Sequence, residues 1–305
     1  MIVTDPEIFR AQLRSGWLIG DSPPVPRAVF LVEPSGFRLS EQTAQDNQYM
    51  DLGVQVDASR ALDQHRRLAE AITACGVPVV RFPGHPATPD DLFPNNVFAT
   101  IRDRLIIGAM RHPERRLEAE RADIRCFFES LMECEVADLS TRSMVAELTG
   151  ALVIDRARRL GFCGLSQRAD EAGCQAMHEA FDLAMTFQFE LSPVEYHTNV
   201  VMSVLASRAV VLCPDGFADA TVPEAICEAF EEHCLILSEA EKAAFAGNCI
   251  AVNFQDVFMS ELAADTLSPA HHARLQSWGF KVHAVAFDEI EKAGGSVRCC
   301  VAEIY

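Results

Sequence analysis

Long apolar runs, the features of a signal peptide in the first residues and an excess of basic residues are all missing from this sequence. None of its apolar stretches reaches the roughly 20 residues that a membrane-spanning helix needs, and residues 1–7 lack the basic and apolar regions of a signal peptide. Acidic residues outnumber basic ones by 44 to 26, which gives a formal net charge of -18. Such a chain repels phosphate backbones and anionic membrane surfaces. We therefore expect a cytoplasmic protein that binds neither nucleic acid nor membrane.

The sequence also lacks the short motifs that are typical of metal and redox sites. Its 11 cysteines include no CxxC pair, which fits reduced thiols better than a disulfide framework. No HxH or HExxH motif occurs, and His271-His272 is an isolated pair. We expect neither a metal nor a cofactor. Eight cysteines are predicted to be small core side chains: Cys75, Cys126, Cys134, Cys163, Cys213, Cys227, Cys234 and Cys249.

The C-terminal stretch carries the first sign of chemistry. Gly294 and Gly295 permit a tight turn that a ligand can approach closely, and the alternating apolar run after them predicts a strand. Cys299 in this run is a candidate nucleophile, which would need a base, an orienting group and a substrate clamp. Cys300 is expected on the opposite face of the strand, in packing. A redox pair is disfavoured because a disulfide between neighbouring residues is strained.

Counting back from Cys299 in steps of 50 or 51 residues reveals a repeat. The count meets four polar residues, each in or near a turn that runs into an apolar segment: Asn248, His197, Glu147 and Asn96. A helix-like segment and a short strand precede each of them. A fixed period of this size is typical of repeat architectures, and in a closed fivefold ring equivalent positions converge on one axis. The order of elements predicts a five-bladed α/β propeller.

The repeat also sets the expected domain organisation. Residues 1–26 are predicted to be an N-terminal extension and residues 27–305 a single α/β-propeller catalytic domain. A strand over residues 27–32 is expected to pair with the C-terminal strand and close the ring. Helices are predicted over residues 57–75 and 114–132 and from about Ser166, and Pro223 marks another helix start. Ser238 and Glu241 match a capping box for an additional short helix.

His197 and Glu147 supply the chemistry that a thiol nucleophile needs. A lone histidine is more often structural, but the register of His197 with Cys299 favours a catalytic role. A histidine near a thiol stabilises the thiolate and can protonate a departing amine, each proton transfer being worth on the order of 10²–10⁴ in rate. Glu147 precedes Thr149-Gly150 and an apolar segment, which favours a buried acceptor for a substrate rich in N–H groups.

Four motifs in this chain resemble a known superfamily in their order and spacing. FPNN (93–96), ELTG (147–150), HTNVVMSV (197–204) and GGSVRCCVAEI (294–304) resemble the guanidino-group-modifying enzymes: arginine deiminases, agmatine deiminases, dimethylarginine hydrolases and amidinotransferases. Within that superfamily the citrulline-utilising hydrolases are most similar. The resemblance covers residues 29–305 and implies the five-bladed propeller called the pentein fold. It also implies catalysis by Cys299 and His197, with Glu147 holding the substrate nitrogens.

Further positions are carried over from the same resemblance. Arg168 resembles the deiminase arginine that binds the α-carboxylate of the amino acid. Residues 110–116, with Arg115 and Arg116, resemble a basic loop that closes over the substrate, and a solvated helix start is the alternative. The citrulline-utilising branch usually has an arginine just after its first strand, where this chain has Glu33.

Two asparagines indicate which substrate the site prefers. Where the motifs of arginine deiminases have aspartates, this chain has Asn96 and Asn199. A guanidinium is a cation with N–H donors only, and losing two charged acceptors should cost it about 3–6 kcal/mol, at about 1.5–3 kcal/mol for each hydrogen bond. A ureido group is neutral and has a carbonyl oxygen, to which an asparagine can donate. The pair therefore favours citrulline over arginine.

Three functions follow from these residues. The first is hydrolysis of citrulline to ornithine, carbon dioxide and ammonia by a cysteine nucleophile. The second keeps the site but acts on arginine or a methylated arginine to give citrulline, as arginine deiminases and dimethylarginine hydrolases do. The third is a propeller that binds a ligand without catalysis. The expected partner is a small-molecule substrate, and the oligomeric state stays open, with a homo-oligomer as one option.

Overall fold

The predicted fivefold repeat is present as five small sheets. The computed structural model describes every residue except 17, 19 and 21. The strands of this described part are β1 (Ile2–Val3), β2 (Ala28–Val32), β3 (Val79–Phe82), β4 (Phe98–Ile101), β5 (Arg104–Ile107), β6 (Glu135–Asp138), β7 (Leu152–Asp155), β8 (Leu160–Leu165), β9 (Met185–Glu190), β10 (Met202–Leu205), β11 (Ala209–Leu212), β12 (Cys234–Ile236), β13 (Ile250–Ala251), β14 (Asp256–Ser260), β15 (Lys281–Val285) and β16 (Ala302–Ile304).

Helices connect the strands within and between the sheets. They are α1 (Pro6–Arg14), α2 (Ala58–Ala74), α3 (Pro113–Ala119), α4 (Ala122–Cys126), α5 (Leu148–Ala151), α6 (Glu171–Ala180), α7 (Thr198–Val201), α8 (Thr221–Glu228), α9 (Glu239–Ala243), α10 (Glu261–Thr266), α11 (Pro269–Ser277), α12 (Asp288–Glu291) and α13 (Val297–Cys300). Short 3₁₀ turns lie at Thr43–Gln45, Pro94–Asn96, Pro214–Gly216 and Glu231–His233, and a π turn at Phe127–Leu131. No helix in the described part of the chain combines the length and apolarity that crossing a bilayer requires.

Every sheet repeats one connection pattern. The inner strand pairs antiparallel with the middle strand, and a helical segment then leads to an outer strand parallel to the middle one, as in β10, β11 and β12. In the four blades from β4 to β15 the inner and middle strands form a hairpin. The five sheets have the orders β16-β2-β3, β4-β5-β6, β7-β8-β9, β10-β11-β12 and β13-β14-β15, and β1 adds a fourth strand beside β9. This repetition is the five-bladed α/β propeller that the period predicted.

The first blade is built from both ends of the domain. Strand β16 pairs antiparallel with β2, placing Ala302 opposite Phe30. This is the pairing expected for residues 27–32. Closing the ring in this way brings the C-terminal motif next to the turns of the other blades.

The N-terminal residues pack against the third blade. Strand β1 runs parallel to β9, and Asp5 caps α1 by accepting from the backbone N–H of Ile8. Phe9 is fully buried and stacks on Phe187 with ring centroids 4.3 Å apart. Part of the predicted extension, residues 17, 19 and 21, lies outside the described residues. The division into 1–26 and 27–305 therefore stays a proposal.

Several local predictions are corrected. Cys299 lies in the short helix α13 that precedes β16, and not in the predicted strand. The error arises because an apolar pattern over only four residues does not distinguish a helix from a strand. The helix predicted over residues 114–132 ends at Ala119, and Arg121 is extended before α4 begins. The third helix starts after Asp170, whose carboxylate accepts from the backbone N–H of Gly173. The capping box of Ser238 and Glu241 is confirmed.

Two cysteines depart from the prediction of reduced core thiols. Cys227 and Cys234 form a disulfide that joins the end of α8 to the start of β12, with their Cα atoms 5.2 Å apart. Sequence spacing does not show this pairing because it depends on how the chain turns between helix and strand. Cys126 is exposed, so its predicted place in the core is wrong as well.

Candidate active site

Cys299 is buried and faces two asparagine side chains. Its Sγ lies 3.2 Å from Nδ2 of Asn248 and 3.6 Å from Nδ2 of Asn199. Asn248 also donates to the backbone carbonyl of Asn199 at 2.8 Å, which fixes its amide plane. Burial raises the pKa of the Cys299 thiol, and the hydrogen bond from Asn248 opposes that rise. The amides thus supply the donors that a thiolate would need.

Glu147 and His197 form a buried pair beside this thiol motif. Nε2 of His197 lies 2.9 Å from Oε2 of Glu147, and both side chains are inaccessible to solvent. Burial alone raises the pKa of Glu147, but Arg168, His197 and Arg115 outweigh it and hold that pKa well below its usual range. Burial lowers the pKa of His197, against the attraction of Glu147. The pair is therefore a carboxylate and a neutral imidazole near neutral pH.

The second ring nitrogen of His197 shares a small space with Asn96. Within the described part of the chain, Nδ1 of His197 and Oδ1 of Asn96 are buried without hydrogen-bond partners. A Cβ atom at Gly150 would lie 2.6 Å from Asn96 Oδ1 and 2.9 Å from His197 Nδ1, so only glycine leaves this space open. Because Nε2 donates to Glu147, Nδ1 keeps a lone pair that can accept a proton. The space has both a base and a free amide oxygen.

Arg168 is buried, and its guanidinium bridges two carboxylates. Its Nη1 lies 3.1 Å from Glu147 Oε2, and its Nε donates to Asp46 Oδ1 at 2.9 Å. Asp46 also contacts Arg111 at 2.8 Å and His112 at 3.1 Å. The Asp46 carboxylate therefore occupies the guanidinium face of Arg168 that the sequence assigned to the α-carboxylate of a substrate.

Arg115 and Arg116 have structural contacts. Arg115 is 2% exposed, pairs with Glu118 at 2.9 Å and donates to the backbone carbonyl of Phe93 at 3.2 Å. The alternative of a solvated helix start is therefore wrong for Arg115. Arg116 donates to the backbone carbonyl of Met110 at 3.0 Å, which shapes the loop before α3.

Glu33 lies at the end of the first blade's middle strand. Its carboxylate is 3.8 Å from Arg81, and both side chains are partly exposed. Its backbone N–H donates to the carbonyl of Phe82 at 2.9 Å, which continues the pairing of β2 with β3. Glu33 thus interacts with the surface of the first blade.

The Cys299 side chain is buried, and it does not line the groove beside Tyr196. A groove of about 1110 Å³ lies outside the site and is lined by Asp46, Arg111, Gln167, Glu195 and Tyr196 among others. Tyr196 donates a short hydrogen bond to the carbonyl of Gly294 and so lies between this groove and the C-terminal motif.

The structure brings the predicted residues together and adds others. Cys299 contacts Asn199, and Glu147 contacts both His197 and Arg168. Asn96 lies next to His197. Two contributors were missed. Asn248 was counted in the repeat but was given no role. Its repeat spacing from Cys299 was the signal that could have identified it as a site residue. Asp46 lies in a loop without a motif, so no sequence signal pointed to it.

Comparisons with known proteins show which proteins this chain is similar to. Residues 33–305 match the family model of N,N dimethylarginine dimethylhydrolase, eukaryotic. An uncharacterized protein, YkgA of Bacillus subtilis (strain 168), is 24% identical over 250 residues, which are 80% of each chain. The N(G),N(G)-dimethylarginine dimethylaminohydrolase of Mycobacterium tuberculosis (strain ATCC 25618 / H37Rv) is 24% identical over 259 residues, 85% of this chain and 80% of that protein.

A solved structure has the same fold. It is the N-terminal domain of ArgZ bound to substrate, an arginine dihydrolase from the ornithine-ammonia cycle in cyanobacteria. The TM-score is 0.79 at 21% identity, covering 91% of this chain and 97% of the other. This likeness confirms the predicted pentein fold.

Proposed function

The chain belongs to the N,N dimethylarginine dimethylhydrolase family within the guanidino-group-modifying superfamily. We propose that it hydrolyses a C–N bond with Cys299 as its nucleophile and citrulline as its substrate. The superfamily predicted from the four motifs is thereby confirmed. The catalytic roles of Cys299, His197 and Glu147, the binding roles of Asn96, Asn199 and Arg168, and the choice of substrate are our proposal.

The observation that carries the substrate proposal is the set of neutral amides around the thiol. Asn248 and Asn199 direct their amides at Cys299, and Asn96 faces the same region with a free oxygen. The carboxylate of this cluster, Glu147, is already paired with Arg168 at 3.1 Å and with His197. A cationic guanidinium would find its charge poorly balanced here, whereas a neutral ureido group has no charge to balance.

The proposed reaction begins with proton transfer from the Cys299 thiol to Nδ1 of His197. The sulfur then attacks the ureido carbon, and the amides of Asn199 and Asn96 donate to its developing oxyanion. His197 returns the proton to the δ-nitrogen as the C–N bond breaks, so ornithine leaves as an amine. Water attacks the S-carbamoyl group, with His197 as base. The thiol is restored, and carbamate decomposes to carbon dioxide and ammonia.

Glu147 and Arg168 position the substrate in this proposal. Glu147 is ionised and can accept N–H groups of the ureido nitrogens while it orients His197. Arg168 binds the α-carboxylate after Asp46 has moved away, since one face of a guanidinium cannot serve two carboxylates at once. Asp46 therefore accepts at the side of the Arg168 guanidinium where, in this proposal, the substrate's α-carboxylate binds.

Family membership favours a second candidate, a guanidino substrate such as dimethylarginine or arginine. The side-chain oxygens of Asn96 and Asn248 are buried without partners in the described part of the chain, so guanidinium N–H groups could donate to them. Attack by Cys299 would then give an S-amidino intermediate and release ammonia or an alkylamine, leaving citrulline after hydrolysis.

Intact-mass spectrometry separates these functions. The protein is mixed in turn with citrulline, arginine and dimethylarginine, and the amino acids released are then analysed by chromatography. A carbamoyl adduct with ornithine supports the first candidate, and an amidino adduct with citrulline supports the second. Cys299→Ala should abolish the adduct and turnover, whereas the matched variant Cys300→Ala should keep both. Full activity in Cys299→Ala would contradict both enzymatic candidates, and a wild type that turns over none of these substrates would leave the binding protein.

A further inference from the structure

A second cluster with a thiol lies away from the proposed active site. Cys75 follows the last residue of α2, while Asp256 begins β14 and His283 lies in the middle of β15. One ligand atom from each residue lies within 4.8 Å of the other two, and all three side chains are partly exposed. We propose that Cys75, Asp256 and His283 form a zinc-binding site.

The sheet register explains why two of the ligands share a face. In the parallel pair β14 and β15, Asp256 lies opposite Lys281 and Phe258 opposite His283. Alternate residues of a strand point to the same side, so Asp256 and His283 project together. The His283 ring stacks on Phe258 with centroids 4.8 Å apart, which fixes the direction of its Nε2.

The geometry fits a shared cation better than a catalytic triad. Nε2 of His283 lies 2.6 Å from Oδ1 of Asp256 and 3.7 Å from Sγ of Cys75, so the carboxylate and the thiol face the same ring nitrogen. A relay would use the two ring nitrogens separately. Zinc with bonds of about 2.0–2.3 Å in a tetrahedron holds its ligand atoms about 3.3–3.6 Å apart. The two distances from His283 Nε2 differ from this range by less than about 1 Å.

The charges and ligand types also match this cation. A thiolate and a carboxylate neutralise a divalent ion, and thiolate with imidazole selects zinc over the hard ions Mg²⁺ and Ca²⁺. Zinc binding would displace the proton of the Cys75 thiol. Partial exposure leaves room for water as the fourth ligand.

Neighbouring contacts already hold the cluster in place. Nδ2 of Asn253 donates to the second carboxylate oxygen of Asp256 at 2.7 Å, and Oδ1 of Asn253 accepts from the backbone N–H of Asp256 at 2.8 Å. Such supporting hydrogen bonds orient metal ligands. A bound zinc would fasten the end of α2, in the first blade, to the strands of the fifth blade.

Zinc and cobalt binding test this proposal on the full-length protein. Zinc affinity is measured by competition with a chromogenic chelator, and the near-ultraviolet sulfur-to-cobalt band reports a bound thiolate. The wild type, Cys75→Ser, Asp256→Asn and His283→Gln are compared, with Cys126→Ser as the matched control. Cys299→Ala distinguishes this cluster from the active-site thiol. The melting temperature of each metal-free protein is recorded first to confirm folding.

The expected outcome is specific to the three ligands. Each ligand variant should weaken zinc binding by more than about 100-fold, because even a hydrogen-bond partner of a ligand is worth about 10–100-fold. Zinc should raise the melting temperature of the wild type, Cys126→Ser and Cys299→Ala, and not that of the ligand variants. Unchanged affinity in Cys75→Ser, or loss of the cobalt band in Cys299→Ala alone, would overturn the proposal.

Discussion

Asn96→Asp is the substitution that most directly tests the link between amides and substrate charge. The Asn96 side chain is 3% exposed, and its Oδ1 has no partner among the described residues. The aspartate has the same shape but exchanges an N–H donor for a second, charged acceptor. A guanidinium substrate should gain from that exchange, whereas a ureido substrate should lose the donor to its carbonyl oxygen.

The size of the effect follows from the two hydrogen bonds involved. Replacing a neutral acceptor by a charged one should favour a guanidinium by about 1–2 kcal/mol, and a ureido oxygen left without its donor should cost about 1–3 kcal/mol. Together they shift the preference by about 2–5 kcal/mol. At 1.4 kcal/mol for each factor of ten, the ratio of kcat/KM for arginine to that for citrulline should rise by about 30- to 3000-fold.

The assay measures kcat/KM for arginine and for citrulline, with chromatography of the amino-acid products. Asn248→Asp is the matched control, since the Asn248 amide contacts Sγ of Cys299 at 3.2 Å. A carboxylate there should disfavour the thiolate and so lower kcat/KM for both substrates, which Asn96→Asp should not do. A ratio that changes by less than about threefold in folded Asn96→Asp would refute the reasoning.

Three further predictions concern the closed site and the fold. Asp46→Asn should lower KM for substrates with an α-carboxylate by about 3- to 10-fold, because Arg168 becomes available, and should not affect analogues without that carboxylate; a raised KM would contradict this. Burial and then Arg81 lower the pKa of His65 from 6.5 to about 4. Between about pH 6.5 and pH 4, His65 is therefore protonated in the unfolded chain and neutral in the folded protein. The free energy of unfolding should therefore fall by up to about 3 kcal/mol between pH 6.5 and 4, and urea titrations should show that His65→Gln loses this part of the slope; equal slopes would refute it. Phe9→Ala should lower the free energy of unfolding, measured by the same titrations, by about 3–5 kcal/mol, because the Phe9 side chain is fully buried. The control Ile8→Ala, at an exposed position, should lower it by less than about 0.5 kcal/mol. Equally small effects in both variants would mean that α1 does not stabilise the third blade.

Much of this protein could be read from its sequence because the fold repeats. The spacing of Asn96, Glu147, His197, Asn248 and Cys299 places one polar residue at the same turn of each blade. Hairpins and helices recur between these positions, so local patterns predict both the architecture and the convergence of the side chains. The capping box follows from a local signal. The pairing of residues 27–32 with the C-terminal strand follows from closing the ring of repeats.

The contacts that close and neutralise the site depended on tertiary structure. Asp46 meets Arg168 across 122 positions of the chain, and the ligands of the proposed zinc site lie at positions 75, 256 and 283. The disulfide of Cys227 and Cys234 forms only because a helix end turns back into a strand. Sequence periodicity reports which face of an element is buried, but not which loop covers a charged group. Those pairings are decided by the packing of loops and blade edges, where no repeating pattern constrains the chain.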